Sequence, residues 1–310
     1  MQERARDVGP WSLEKLSLLK KYLEAYVRAT RQIRDRGDSI TYVDLFAGPG
    51  LVRLRGTNQV SDGSPLIALK LDPGFSRFVF VDTDAENIAA LQSWISRLGM
   101  LDKGEAIRGD SNDLIQEVAR LIPTNGACFA FLDPPAPVLT WNTITQLAQL
   151  RMWPSGNKPE QFILFPYNMG LVRMMPEDES PESIWGEPTD EQISRVMPDP
   201  WKWRAVYAAW QRGSFGAQQK RLRFLYLYWA GLKELGYRYV LGPRTIRTPN
   251  RRPLYDLFFC SDHPVGGRIM LDVFESTRQG NMLEQQLPLI QEDPYEFHEG
   301  EQWYLELAKG

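Results

Sequence analysis

The sequence predicts an α/β fold: a mostly parallel seven-stranded sheet with helices on both faces and a helical insertion. Three observations predict it. Short apolar runs alternate with amphipathic helical segments as far as about Phe165, the pattern of right-handed βαβ units on a sheet covered on both faces. The first buried run, ITYVDLF, enters the glycine turn Ala47-Gly48-Pro49-Gly50, and open parallel sheets bind small ligands beyond such carboxyl strand ends. The last two runs, YRYVLG and YDLFFCS, have a connection too short for a parallel crossover, so they are expected as antiparallel neighbours.

An opening helix is expected over residues 13–34, with Leu16, Leu19, Leu23, Tyr26 and Val27 at three- and four-residue spacing and Ser12 as N-cap. After the Gly37-Asp38 turn, the strands are ITYVDLF, RFVFVD, EAIRG, ACFAFLD, QFILFPY, YRYVLG and YDLFFCS. Helices are expected at PLIALKL, opened by Ser64 as N-cap and Pro65, at NIAALQSWISRL, opened by Asp84, and at LIQEVARLI and TITQLAQL. Residues 168–216 are rich in Pro, Met and Trp, carry an acidic stretch at 177–187, and are expected as an insertion of short helices. Its Trp201, Trp203, Tyr207 and Trp210 fit a helical core stripe better than a base-stacking platform. The helix RLRFLYLYWAGLKELG returns the chain to the sheet. The expected organisation is a helical segment at 1–36, an α/β core at 37–266 and a helical, then acidic, extension at 267–310.

With 310 residues and 43% apolar content, a large core can be buried. The net charge of −3 provides no global basic field, so any anion-binding site must be local. Two cysteines, Cys128 and Cys260, and two histidines, His263 and His298, are too few for a cysteine-based zinc site or a disulfide framework, and no metal is expected. Both cysteines lie in apolar runs, as small buried thiols do in a reducing cytoplasm. The apolar stretches are well below the roughly 20 residues of a membrane span, and MQERARDVGPW lacks the apolar core of a signal peptide. The expected location is therefore cytoplasmic, without membrane attachment.

The glycine turn indicates a ligand. Gly48 and Gly50 let the backbone turn tightly and approach a bound molecule. A dinucleotide fingerprint would need a third glycine where Arg53 stands, and no Gly-Lys-Ser/Thr follows for a phosphate loop. Asp44, in the strand before the turn, suits the ammonium of S-adenosylmethionine better than a phosphate. Asp82, at the next strand exit, can accept hydrogen bonds from ribose hydroxyls, and Asp110, at the third, from an adenine amino group. Strand exits are often acidic for capping alone, but three in succession form a constellation. Phe46 and Ser111 complete the expected cofactor set, with Lys15 reaching the cofactor carboxylate.

The fourth strand ends Asp133-Pro134-Pro135-Ala136. Two prolines end a sheet ladder, and here they also set a carboxylate beside a free carbonyl. An exocyclic amine is a poor nucleophile because its lone pair is delocalised into the ring. Accepting its hydrogens through Asp133 and the Pro134 carbonyl would localise that pair toward a sulfonium methyl, and alignment supplies much of the remaining acceleration. Asp133, Pro134 and Pro135 are the expected catalytic residues.

Together YVDLFAGPG, DGSPLIAL, RFVFVD, RGDSND and FLDPP resemble the three-Cys-motif partner protein (TcmP) family of class I S-adenosylmethionine-dependent methyltransferases. The likeness extends to PWSLEKLSLLKKYLEAY, ILFPYNMGLVR, ELGYRYV and RPLYDLFFCSDHP, nearly the whole chain. The resemblance implies a Rossmann-like methyltransferase fold and a three-cysteine, radical-enzyme-like protein as partner. DPP also resembles motif IV of amino-methylating nucleic-acid enzymes, where an aromatic residue follows the prolines; Ala136 departs from that pattern, and Trp141 is the nearest substitute stacking face. Arg244, Arg247, Arg251 and Arg252, in an expected loop at 242–253 with no acid among them, match phosphate geometry. The expected reaction is N-methylation of a nucleic-acid base. The rival expectations are a cofactor-binding partner or sensor module without catalysis, and a small-molecule or protein methyltransferase.

Overall fold

A computed structural model describes residues 3–175 and 187–276. Ten strands are defined: β1 Ala5–Val8, β2 Ser39–Asp44, β3 Leu51–Leu54, β4 Val60–Asp62, β5 Arg77–Asp82, β6 Gly104–Arg108, β7 Gly126–Leu132, β8 Glu160–Phe165, β9 Tyr239–Arg247 and β10 Pro253–Ser261. The helices are α1 Pro10–Ala29, α2 Arg31–Asp35, α3 Ser64–Leu69, α4 Ala85–Arg97, α5 Ile115–Leu121, α6 Trp141–Gln149, α7 Val172–Met174, α8 Glu187–Val196, α9 Pro200–Gln211, α10 Ala217–Glu234 and α11 Pro264–Ser276. A π-turn at Tyr167–Leu171 leads into α7.

Seven strands form one sheet in the order β6-β5-β2-β7-β8-β10-β9. β10 is antiparallel to both neighbours, and the other pairings in the sheet are parallel. Numbered within the sheet, this is 3-2-1-4-5-7-6, the strand order of the Rossmann-like class I methyltransferase fold. Strand order reverses between β2 and β7, so the crevice expected of such sheets opens there.

The period-2 alternation of strand side chains divides the core into two layers. Tyr42, Phe78, Phe80, Phe129, Phe131 and Phe162 pack under α1, α3, α4 and α11. Val43, Val81, Ala130, Ile163 and Phe258 pack under α5, α6 and the helices of the insertion. In the insertion Trp203 and Tyr207 are core residues, whereas Trp201 is 78% exposed. Among the described residues no helix is long and apolar enough to cross a membrane.

Several local expectations change. The first thirty-six residues are not wholly helical: β1 precedes α1, and the opening helix breaks at Thr30 into α1 and α2. Gly9, not Ser12, stands at the α1 N-cap, with Pro10 as first helical residue, and Gly63 rather than Ser64 precedes α3. Asp84 caps α4 as expected, accepting from the Glu86 N–H at 2.8 Å. The glycine turn runs not into a helix but into the hairpin β3-β4, to which β1 adds in parallel as a three-stranded sheet. β9 extends to Arg247, so the expected loop shrinks to residues 248–252. The C-terminal helix begins at Pro264 and packs through Met270, Val273 and Phe274. The acidic stretch, apart from Glu187, and the chain after Ser276 lie outside the described residues.

Candidate active site

The crevice is built from the carboxyl ends of β2, β7 and β8, the start of α1, and β1. Phe46, Gly48, Gly50, Asp133, Pro134 and Pro135 line it, joined by Lys15 and by residues sequence reasoning missed: Arg6, Trp11, Met169 and Tyr255. The glycine turn and the Asp-Pro-Pro segment thus share one cleft because β2 and β7 are hydrogen-bonded neighbours, with Asp44 paired to Phe131.

Gly48 (φ +65°) and Gly50 (φ +94°) both occupy the left-handed region that favours glycine. A Cβ on Gly50 would press on Leu66 and Trp94 at 3.3 Å, which is a packing reason for glycine. A Cβ on Gly48 would stand in open space, its nearest neighbour being Arg6 Cδ at 4.0 Å. Gly48 therefore presents bare backbone to the cleft.

Asp82 lies at the β5 exit. Its Oδ2 accepts the Gly48 N–H at 2.8 Å, and Oδ1 accepts from the Asp84 N–H at 2.8 Å and Asn87 Nδ2 at 3.1 Å. Oδ2, with a single donor, keeps acceptor capacity for one more. Asp110 is exposed at the β6 exit, and its Oδ1 accepts from the N–H and side-chain amide of Asn112. Asn112 is a residue the sequence did not single out. It also donates to the Val138 carbonyl and accepts from the Thr140 N–H and the Thr143 hydroxyl, tying the β6 exit to the chain that follows the prolines.

Asp44 does not face the cleft as expected. It is fully buried, and its carboxylate accepts the Phe46 N–H at 3.2 Å, the Tyr42 hydroxyl at 3.3 Å and the Ser64 hydroxyl. Burial pushes its pKa up to about 7, against the lowering effect of those hydrogen bonds. With no open face toward a ligand, Asp44 shapes the turn instead of touching an ammonium. Ser111 departs from expectation as well: it is buried, and its hydroxyl donates to the Leu45 carbonyl, fastening the β6 exit to β2.

Lys15 lines the cleft as expected, but its charge is engaged by an acid. Its Nζ donates to Asp133 Oδ2 in a partly buried ion pair and lies 5.4 Å from the centre of the Tyr255 ring. The Tyr255 hydroxyl donates to the Trp11 carbonyl at 3.1 Å, so the last strand pair supports the start of α1. Pro134 is buried and Pro135 exposed.

Of the expected substrate residues, Trp141 is displaced. It opens α6 and packs edge-on to Tyr228 at 5.5 Å, within the insertion-side core rather than the cleft, because its indole fills space beside Gly231. Arg244 is displaced too: it is a buried strand residue whose guanidinium donates to Glu14 at 3.2 Å. Arg247, Arg251 and Arg252 remain at the β9-β10 turn, the latter two exposed. Because β9 runs in the same sense as the parallel strands, that turn lies on the rim shared with Asp133.

No family model matches the chain, and no curated protein matches it. Solved structures resemble it distantly. Protein LPL1258 from Legionella pneumophila is 11% identical with a TM-score of 0.46, covering 85% of this chain and 92% of that one. An O-methyltransferase from Bacillus cereus in complex with SAH is 17% identical with a TM-score of 0.38, covering 84% and 83%. Trm5b from Pyrococcus abyssi is 14% identical with a TM-score of 0.34, covering 77% and 49%.

Proposed function

We propose that the protein is an S-adenosylmethionine-dependent methyltransferase of the TcmP family, acting on an amino nitrogen of a nucleic-acid base. The observation that carries this reading is the shared cleft, in which the bare backbone of Gly48 and the Asp133-Pro134 pair face the same space. The open side of Gly48, which a Cβ would fill, fits a ligand pressed against backbone. Asp82 would take the ribose hydroxyls, Asp110 the adenine amino group, and Phe46 with Gly48 and Gly50 the body of the cofactor. When bound, S-adenosylmethionine supplies an electrophilic methyl on a sulfonium centre.

The chain's own part is positioning. The acceptor amine would be held by two acceptors, the Asp133 carboxylate and the Pro134 carbonyl, which draw its hydrogens out of the plane of the base, so that the nitrogen becomes pyramidal and its lone pair localises toward the methyl. Forming the new N–C bond would break the sulfonium's bond to its methyl and leave a neutral thioether, and Asp133 would be placed to take the proton the nitrogen then releases. Lys15 would fix the orientation of Asp133 through Oδ2. Arg247, Arg251 and Arg252 provide guanidinium donors for phosphates on the same rim.

Titration calorimetry with S-adenosylmethionine and S-adenosylhomocysteine tests the cofactor. Radiolabelled methyl transfer to RNA, DNA, protein and metabolite pools tests the acceptor. Binding of neither ligand by folded protein overturns the reading, and label in protein or metabolites alone overturns its nucleic-acid part. A second reading has one observation in its favour: the Asp133 carboxylate is already engaged by Lys15. In that reading the protein is a cofactor-binding module for a three-cysteine partner, and radiolabel appears in no pool.

A further inference from the structure

On the cofactor reading above, we infer that Arg6 holds the carboxylate of the cofactor's amino-acid tail. A sulfonium carries three substituents. The methyl must point to the acceptor at Asp133, and the adenosyl group must run toward Asp82 and Asp110. The aminocarboxypropyl tail is left with the third wall of the cleft, formed by β1 and the start of α1. Two cations of that wall line the cleft, Arg6 and Lys15. Lys15 is ion-paired with Asp133.

Arg6 meets the requirements that Lys15 does not. Its neighbours' charges are matched: Arg4 pairs with Asp84 and Glu86, and Arg53 with Asp7. Arg6 is exposed and forms no ion pair among the described residues, and its backbone is fixed by the strand pairing. Parallel pairing of β1 with β3 sets Arg6 beside Val52 and carries its side chain across the glycine turn, where Cδ lies 4.0 Å from the position of a Cβ on Gly48. A planar guanidinium carried beside this bare backbone suits a carboxylate, which it would meet through two parallel hydrogen bonds. Arg55 also lines the cleft but lies beyond the end of β3.

The test compares S-adenosylhomocysteine with its decarboxylated analogue, which keeps the adenosyl group, thioether and amine. Calorimetry on the parent, Arg6→Gln and Arg55→Gln measures both ligands. The parent should prefer S-adenosylhomocysteine, and Arg6→Gln should weaken that ligand by about ten- to a hundredfold, as for a lost hydrogen bond to a charged group. Binding of the decarboxylated analogue should be unchanged, which also shows that the variant is folded. Four results overturn the inference: no preference in the parent, unchanged S-adenosylhomocysteine affinity in Arg6→Gln, equal loss of both ligands in that variant, or the carboxylate-dependent loss falling on Arg55→Gln. If the parent binds neither ligand, the cofactor reading itself fails.

Discussion

Lys15 and Asp133, 118 residues apart in the chain, form an ion pair in the cleft between the first helix and the fourth strand of the main sheet. In the proposed reaction Asp133 acts on the acceptor alone. Asp133→Ala should reduce turnover by at least about a hundredfold while S-adenosylhomocysteine affinity stays near that of the parent. Lys15→Met should lower kcat by about tenfold with a smaller change in cofactor affinity, because it removes the group that orients Asp133. Calorimetry beside single-turnover kinetics separates the two effects. Equal losses of cofactor affinity and turnover in Asp133→Ala would make Asp133 a cofactor or structural residue.

Two glycines near the turn should respond differently to the same methyl group. A Cβ on Gly63 would stand 2.8 Å from the Gly50 carbonyl oxygen, so Gly63→Ala must move backbone and should lose on the order of 1–3 kcal/mol of stability. Gly48→Ala meets no such obstacle and bears only the conformational cost of its positive φ, about 1–2 kcal/mol. Gly48→Ala should therefore fold, yet bind S-adenosylhomocysteine poorly because the methyl occupies the ligand's contact surface. Urea unfolding and calorimetry on both variants check this. Full affinity in Gly48→Ala would place the ligand elsewhere.

Two buried carboxyl groups should make the protein less stable as the pH rises. Burial raises Asp44 from 3.8 to about 7 and Glu160 from 4.5 to about 7, the latter despite hydrogen bonds from Tyr22 and from Ser261 at 2.7 Å. Between the unfolded and folded pKa values the folded state binds more protons, so the stability conferred by each protonated group is complete below its unfolded pKa and is lost as pH rises through its folded one. The unfolding free energy should thus decline between about pH 4 and 7, other groups held constant. Glu160→Gln should reduce that slope. Denaturant titrations at several pH values measure it, and an unchanged slope would show that Glu160 ionises readily where it is buried.

Nucleic-acid binding, if it uses the β9-β10 turn, should depend on three arginines. Arg247 donates to the Arg251 carbonyl at 3.2 Å, and Arg251 has φ +61°, a conformation asparagine tolerates well. The variant Arg247→Gln, Arg251→Asn, Arg252→Gln therefore removes charge with little backbone strain. Affinity for RNA and DNA should fall for all sequences alike, and the salt slope should flatten by about 0.7–0.9 for each phosphate that is no longer neutralised. Filter binding across a salt series checks it. Arg244→Gln should instead destabilise the fold, since it leaves Glu14 without its buried partner.

The strands of the main sheet were readable because their side chains obey short periods. Phe78 and Phe80 fall on one face and Val79 and Val81 on the other, a local pattern that needs no partner to be seen. The glycine turn and Asp133-Pro134 were legible for a similar reason, since strand ends converge once the order is known. What failed was side-chain destination. Asp44 sits three positions before the turn, yet β-strand alternation and the hydroxyl groups of Tyr42 and Ser64 draw it beneath the cleft. Lys15 and Arg244 found acids far along the chain, a choice no local pattern encodes. β1 was missed because four residues with two of them exposed carry little periodicity, and its partner β3 lies beyond two helices and a strand. Tyr255 read as an ordinary strand aromatic, with no signal that it would flank the cleft.

The first helix is held by contacts with residues synthesised long after it: Glu14 meets Arg244, and the Trp11 carbonyl meets Tyr255, 244 positions later. On the ribosome α1 emerges early and can rest Tyr22 and Tyr26 on Phe75 and Phe129 once those are made, but its first turns have no anchor until the final strand pair is formed. The parallel strands can associate as they appear, whereas one wall of the cleft must wait for a closure of nearly the longest range this chain contains, the kind that limits folding speed. A nascent chain ending before Tyr255 would carry the glycine turn and Asp133 with that wall unsupported. Competence to bind would then arrive in one late step rather than accumulating with length.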